Sequence, residues 1–391
     1  MLATLPGRTQ GLGLITEPLL RDLQLDRITY ANINLWATLI GAIVCIPFGS
    51  LLDRVGLRWT TTAIVLGLAA VVWGMSVQTG SLAVLFLLVL ATRALGQSAL
   101  SVSSITAVGK AFDRTVGMAM GVYSVLMGVF FAIAFTFVGR AVGSRGWRAA
   151  WGEIAVGLVV VAVIAVFLLN PAHPAPDVDG ESERSKELEG IALGRALRTG
   201  AFWIFAGSAS LFGLVSSGLG LFNQAVLAER GFGHETYYTF LTFTSVLGLA
   251  GQLLCGWLTL HWSMQTLLGI GMFLYALALA GFPLLTTHAQ LWALGVVSGV
   301  SGGFITVLFF AIWSRAFGQT HLGWIQGAAQ MLTVLASAVG PLMFAACAER
   351  YGSYAPILWG LAPAVVLLGV AAVRVTLPGA EPSVLPIPET A

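Results

Sequence analysis

Two arginines sit where arginines are costly. Arg8 lies 13 residues before Arg21, and Arg93 lies 12 residues beyond Ser81, each inside an otherwise apolar stretch. At 1.5 Å per residue, that much helix covers roughly 18–20 Å, a little over half of a bilayer core of about 30 Å. Both guanidinium groups are therefore expected near mid-membrane. A charge there costs at least about 2.5–3.5 kcal/mol on insertion scales, so it normally faces a water-filled cavity or a partner. No carboxylate sits at matching depth: Glu17 is nine residues past Arg8, and Glu153 opens a later apolar run. Two cations without a counter-charge attract an anion, and the guanidinium fork matches carboxylate geometry. The chemistry these residues suggest is recognition of a small organic anion. The other role open to each arginine is structural, binding helix-end carbonyls or reaching an interface.

Further polar residues recur at helical spacing. Arg93 and Gln97 are four apart and share a face, and Gln326, Gln330 and Thr333 form an i, i+4, i+7 row. Tyr123–Ser124 and Asn223–Gln224 interrupt two other apolar runs. Such residues line a wet interior or tie helix to helix. The candidate binding set is Arg8, Arg93, Gln97, Tyr123, Asn223, Gln326 and Gln330. Catalysis is not suggested. The five histidines fall in connections or at the ends of apolar runs and never pair at ligand spacing, and no nucleophile triad or phosphate-cradling loop is present. Cys45, Cys255 and Cys347 all lie inside apolar runs and read as small buried hydrophobes. Neither cofactor nor metal is expected.

The elements that must position these groups are membrane helices. Of 391 residues, 57% are hydrophobic and 9% charged, with a mean hydropathy of +0.89. A soluble domain carries about a quarter charged residues, so this chain lacks the polar surface a soluble protein needs. The net charge of +2 and the absence of basic runs give no reason to expect a nucleic-acid partner. Twelve apolar runs can be drawn: from the N-terminus to Leu20, then 28–52, 59–78, 81–108, 116–139, 147–169, 201–227, 237–260, 264–285, 291–313, 322–348 and 354–373. The expected fold is an all-α membrane protein of twelve transmembrane helices in two pseudo-symmetric six-helix bundles. The divisions are 1–169, a linker at 170–200, 201–376 and a tail at 377–391. Pro171, Pro174 and Pro176 end the sixth run, and Leu188–Leu197 reads either as a surface amphipathic piece or as plain solvated linker. The N-terminus shows no basic region ahead of an apolar one, so no cleavable signal peptide is expected. Either the first helix is short or the start lies upstream of Met1, and the second is the expectation.

Between the second and third runs lies Gly49–Ser–Leu–Leu–Asp53–Arg54–Val–Gly56–Leu–Arg58, a charged turn between two uncharged stretches. Its order, G-x-L-x-D-R-x-G-x-R, resembles the signature loop of the major facilitator superfamily of secondary transporters. The resemblance implies a cytoplasmic latch built from Gly49, Asp53, Arg54, Gly56 and Arg58, which closes the inner side by pairing Asp53 and its basic neighbours with the opposite bundle. It also implies a carrier whose halves rock about a central site. The halves echo each other: Phe112 and Thr115 match Phe317 and Thr320, 205 residues on. Gly117 and Gly121 match Gly323 and Gly327 at 206, and Gly49 matches Gly256 at 207, with Leu260 where Asp53 would be. With the latch inside, cytoplasmic segments hold ten Lys/Arg and outer segments seven, so the resemblance and not the count sets the orientation.

Ser337–Ala–Val–Gly340–Pro341 and Pro6–Gly7–Arg8–Thr9 resemble monocarboxylate-porter-like and related anion-transporting branches, in which Gln often stands at the place of Arg8. Arg93–Ala–Leu–Gly96 is similar to a fourth-helix R-x-x-x-G motif, with the glycine one residue early, a departure that weakens the carry-over of a proton-relay role. The expectation is a monomeric secondary carrier for a small organic anion in the cell membrane, its partners being the substrate and the bilayer. A drug-efflux antiporter and a non-transporting membrane sensor are the other readings.

Overall fold

The computed structural model describes residues 1–78, 81–112, 115–169 and 191–378, and every element among them is helical. Eleven helices are long and apolar enough to span a bilayer: Ile28–Val55, Leu57–Val77, Leu82–Ala111, Val116–Arg145, Trp147–Leu168, Gly200–Ala228, Thr239–Leu258, Met264–Leu284, His288–Phe317, Leu322–Tyr351 and Ala355–Arg374. We number these spans 2 to 12. Each matches an expected run to within a few residues, except that span 5 continues to Arg145 and span 10 to Phe317.

Span 1 departs from expectation because it is not one helix. A 3-10 segment, Leu2–Gly7, ends at Arg8 in extended geometry (φ −86°, ψ 153°), and an α-helix follows over Thr9–Asp22. Fourteen residues of helix cover about 21 Å, too little to cross alone. The two pieces together make the twelfth crossing. Span 4 is irregular at the matching place. A π-helical turn, Arg93–Ala99, separates α-helical Leu82–Thr92 from Leu100–Ala111. The two irregularities nest, and a Cβ on Gly7 would meet the Gly96 Cα at 2.7 Å.

Helix starts are fixed locally. The Asp26 carboxylate accepts from the Thr29 N–H at 2.8 Å, and the Ser263 hydroxyl accepts from Thr266 N–H at 3.2 Å. Thr287 and Gln290 form a reciprocal capping box. Span 2 is broken at Val44, since Pro47 has no N–H to continue the helical ladder.

The two halves repeat in their backbone as well as their sequence. Gln24 and Gly231, 207 residues apart, both have positive φ (52° and 81°). So do Gly146 and Gly352, 206 apart, at the entries to spans 6 and 12. Beside these turns, an acid at the end of each bundle's first helix grips the start of its sixth. Asp22 accepts from Trp147 Nε1 at 3.1 Å and Arg148 Nε at 2.8 Å. Glu229 accepts from Ser353 Oγ at 2.9 Å and Tyr354 N at 3.2 Å. Arg148 also donates to the carbonyls of Ser76 and Gln78 at the end of span 3. Phe112 and Phe317 likewise close the fourth span of each bundle, but their surroundings differ: Phe112 is exposed and Phe317 is buried.

One apolar core joins Leu12, Ile33, Leu68, Val89, Trp151 and Leu158 in the first half. A second runs through Phe202, Met272, Leu308, Ile325, Phe344 and Val365, and draws in Ile105, Val116 and Met120 from the first half. Residues 170–190 of the expected linker and 379–391 of the expected tail lie outside the described residues, as do Asp113 and Arg114. The described end of the linker is a four-residue helix, Leu193–Ala196, with both end residues buried in the second core. The Ile191 N–H donates to the Phe317 carbonyl at 2.9 Å. This piece is docked on the second bundle, unlike the solvated linker that the sequence left open.

Candidate functional site

Arg93 and Gln97 come together as their spacing implies, with Arg93 Nη1 donating to Gln97 Oε1 at 2.9 Å. Nη1 also reaches the Gly7 carbonyl at 3.2 Å and Thr9 Oγ1 at 3.0 Å, and Nη2 donates to Asn34 Oδ1 at 2.9 Å. Every one of these partners is neutral. Arg93 is 3% exposed, so its charge is held inside the bundle rather than presented to a cavity. Its contacts with Gly7 and Thr9 flank the break at Arg8 on both sides. Arg93 thus fixes the bend that aims Arg8.

Arg8 is the more accessible of the two, being only half-buried. Its Nε donates to Thr4 Oγ1 at 2.9 Å, and Nη2 to Ser101 Oγ at 3.3 Å. The guanidinium carbon lies 5.3 Å from the centre of the Phe131 ring, within cation–π range. No acceptor among the described residues engages Nη1, which leaves both of its protons for a ligand.

Ser101 and Ser104 are three apart on span 4 and present one face. Ser101 meets Arg8, while Ser104 Oγ is 2.8 Å from the Tyr123 hydroxyl. Tyr123 in turn packs edge-on against Phe310 of the second half, with ring centres 6.0 Å apart and planes at 80°. Arg8, Ser101, Ser104, Tyr123, Phe131 and Phe310 therefore form one wall that crosses from first bundle to second. It pairs one unneutralised cation with hydroxyls and aromatic faces.

The remaining candidates lie elsewhere. Asn223 is half-buried on span 7, and its Oδ1 has no protein partner. Gln330 is half-buried on span 11. Gln326, one turn below it, is fully buried with neither amide atom partnered. None of the three touches Arg8 or Arg93 through a hydrogen bond in the structure.

At the end of the molecule that carries the charged turn, the halves are in direct contact. Asp53 Oδ1 accepts from Lys110 Nζ at 2.8 Å and from the Gly323 N–H at 3.1 Å, and Oδ2 accepts from the Trp324 N–H at 2.9 Å. Gly323 and Trp324 begin span 11, so Asp53 caps a helix N-terminus of the opposite bundle, where negative charge is favoured. Gly49 has no room for a side chain, as a Cβ would lie 2.1 Å from the Gly323 carbonyl oxygen. Gly327 is pressed on the Cys45 carbonyl in the same way, at 2.4 Å. The symmetry-matched crossing of spans 5 and 8 is tight but less so: a Cβ on Gly256 would stand 3.1 Å from both the Gly117 oxygen and the Gly121 Cα. Among the described residues, no side-chain hydrogen bond or ion pair ties Arg54 or Arg58 to the opposite bundle. Arg54 is exposed, and Arg58 lies over its own neighbour Trp59 at 5.2 Å. Gly56 (φ 93°) makes the turn into span 3.

Sequence reasoning missed Asn34, Thr9, Ser101, Phe131 and Lys110. Asn34 had a signal, as an amide inside an uncharged run. Lys110 and Asp53 are 57 residues apart, and nothing in sequence links them.

Comparison with known proteins agrees with this architecture. Residues 7–341 match the family model of the Major Facilitator Superfamily. The chain belongs to that superfamily of transporters, and it is a multi-pass membrane protein. Among solved structures it is similar to the human organic anion transporter MFSD10 (TETRAN), at TM-score 0.71 and 14% identity over 95% of this chain and 96% of that one. It is also similar to the E. coli fucose:proton symporter FucP (N162A), at TM-score 0.71 and 15% identity over the same shares. FucP in an outward conformation aligns at TM-score 0.67 and 16% identity, again over 95% and 96%. No curated protein sequence matches the chain.

Proposed function

We propose that this transporter carries a small organic anion, with Arg8 as the group that receives the anion's charge. The observation that carries the reading is a mid-span guanidinium with an unengaged Nη1, neutral hydrogen-bond partners and partial exposure. A half-buried cation with no carboxylate neighbour among the described residues lowers the energy of an incoming anion and repels cations. Phe131, Tyr123 and Phe310 supply apolar surface for the organic part, and the Ser101 and Tyr123 hydroxyls orient it. Arg93 acts from behind, holding the break in span 1. The bundles rock about this wall, and the Asp53 latch closes the cytoplasmic side in the state described here. The substrate class stated for MFSD10 agrees with the reading, while that stated for FucP favours a neutral sugar.

Uptake into proteoliposomes decides between them. A panel of labelled lactate, succinate and benzoate is run beside labelled fucose, with wild type and Arg8→Gln. The reading expects carboxylate uptake by wild type that falls at least about tenfold in the variant. Uptake of fucose alone, untouched by Arg8→Gln, would reject it.

A further inference from the structure

Gln326 is an anomaly in the closed latch. It is fully buried, yet neither its amide oxygen nor its amide nitrogen has a protein partner. Most buried polar groups are hydrogen-bonded, and one left bare raises the energy of the state that buries it. A second bare group faces the same contact. Thr106 on span 4 is fully buried, and its Oγ1 has no partner.

Helical geometry places the two together. Gln326 is one turn beyond Leu322, so it lies on the Leu322 row of span 11. That row faces span 4, because a Cβ on Gly109 would meet the Leu322 side chain at 2.8 Å. Thr106 is three residues before Gly109 and shares its row. Spans 4 and 11 belong to different bundles. The contact that buries both groups is therefore part of the latch, and the contact breaks when the latch opens.

We propose that Gln326, seconded by Thr106, is a destabilising element built into the latch: closing strips water from its amide, and opening restores it. Asp53 acts in the opposite sense. Two of its three donors, the Gly323 and Trp324 N–H groups, are within reach only while span 11 is docked, whereas Lys110 belongs to its own bundle. A carrier must visit both states in every cycle, so neither can lie far below the other. The capped helix end and the bare amide set that balance. The argument needs only the closed contact and is independent of which substrate is carried.

Cys45 offers a native reporter. It is fully buried, and its carbonyl lies under Gly327 on the same contact between the bundles. In a Cys255→Ala, Cys347→Ala background of the full chain in lipid nanodiscs, alkylation of Cys45 by N-ethylmaleimide measures opening. Gln326→Leu keeps the volume and removes both bare atoms. It should slow alkylation about tenfold, with Thr106→Val slowing it severalfold and Asp53→Asn accelerating it. If Gln326→Leu reacts at or above the background rate, the proposal is overturned. A structural cross-tie at Gln326 would give that result together with a lower Tm. Should Gln326→Leu fail to fold, Thr106→Val decides: slower alkylation supports the proposal, and an unchanged or faster rate rejects it.

Discussion

Asp53 of the first half caps the start of span 11 in the second, with its two oxygens on the Gly323 and Trp324 N–H groups at 3.1 and 2.9 Å. The same carboxylate pairs with Lys110 at 2.8 Å, and its side chain is only 8% exposed. Hydrogen bonds to a charged group contribute about 1.5–3 kcal/mol each, and the helix dipole adds up to about 1 kcal/mol. Asp53→Asn keeps the shape and loses the charge. We expect it to weaken closure by about 2–3 kcal/mol, read as faster protease or thiol access at this end. Lys110→Met, which leaves both backbone donors in place, should cost less than half as much.

The glycine crossings test the latch without touching charge. At Gly49 a methyl group would meet backbone and not a movable side chain, so the bundles must separate to admit it. Overpacking of this kind costs about 1–3 kcal/mol. Gly49→Ala should therefore shift the molecule toward its open state, measurable as a longer distance between spin labels on spans 2 and 11. The same change at Gly13, where no atom lies within 4 Å, should leave that distance unaltered.

Arg93 is expected to behave as a support. Arg93→Met deprives the Gly7 carbonyl, Thr9, Gln97 and Asn34 of their shared donor. The loss should lower stability by about 3 kcal/mol in denaturant titrations, whether or not substrate is present. Arg8→Gln, whose group is half exposed, should lower it by less than about 1 kcal/mol.

Asp26 gives a pH dependence with a defined sign. Hydrogen bonds from the Thr29 side chain and backbone hold its carboxyl below the ordinary value of 3.8. A depressed folded pKa means that the cap contributes fully above the unfolded value and is lost as pH falls through the folded one. The Tm difference between wild type and Asp26→Asn should be constant near neutrality and shrink below about pH 4. A gap that widens on acidification would show that Asp26 is not the ionised cap.

Much of the architecture was legible because lipid imposes simple rules on sequence. Runs of about 20 apolar residues separated by charged turns can hardly be anything but spans, and eleven of the twelve fell where expected. The Gly49–Gly256 and Gly117–Gly323 echoes also proved physical, since the two pairs make equivalent crossings between the bundles. Span 1 was not legible: the break at Arg8 arises from Pro6, from glycines, and from a tie to Arg93 that is 84 to 86 residues distant in sequence. The site was legible only in part. Depth along a helix put Arg8 and Arg93 at the same level, but it could not say which is enclosed and which is partly exposed. That distinction is made by Asn34, Thr9 and the Gly7 carbonyl, all on other spans.

The most direct measurement is the shift in Tm of the purified carrier across a concentration series of small carboxylates, wild type beside Arg8→Gln. A ligand at 100 times its Kd stabilises the folded state by about 2.7 kcal/mol. Our account predicts that the wild-type Tm rises with carboxylate concentration, does not respond to fucose, and loses the response when Arg8 becomes Gln. Equal stabilisation of both proteins by the same carboxylate would contradict it.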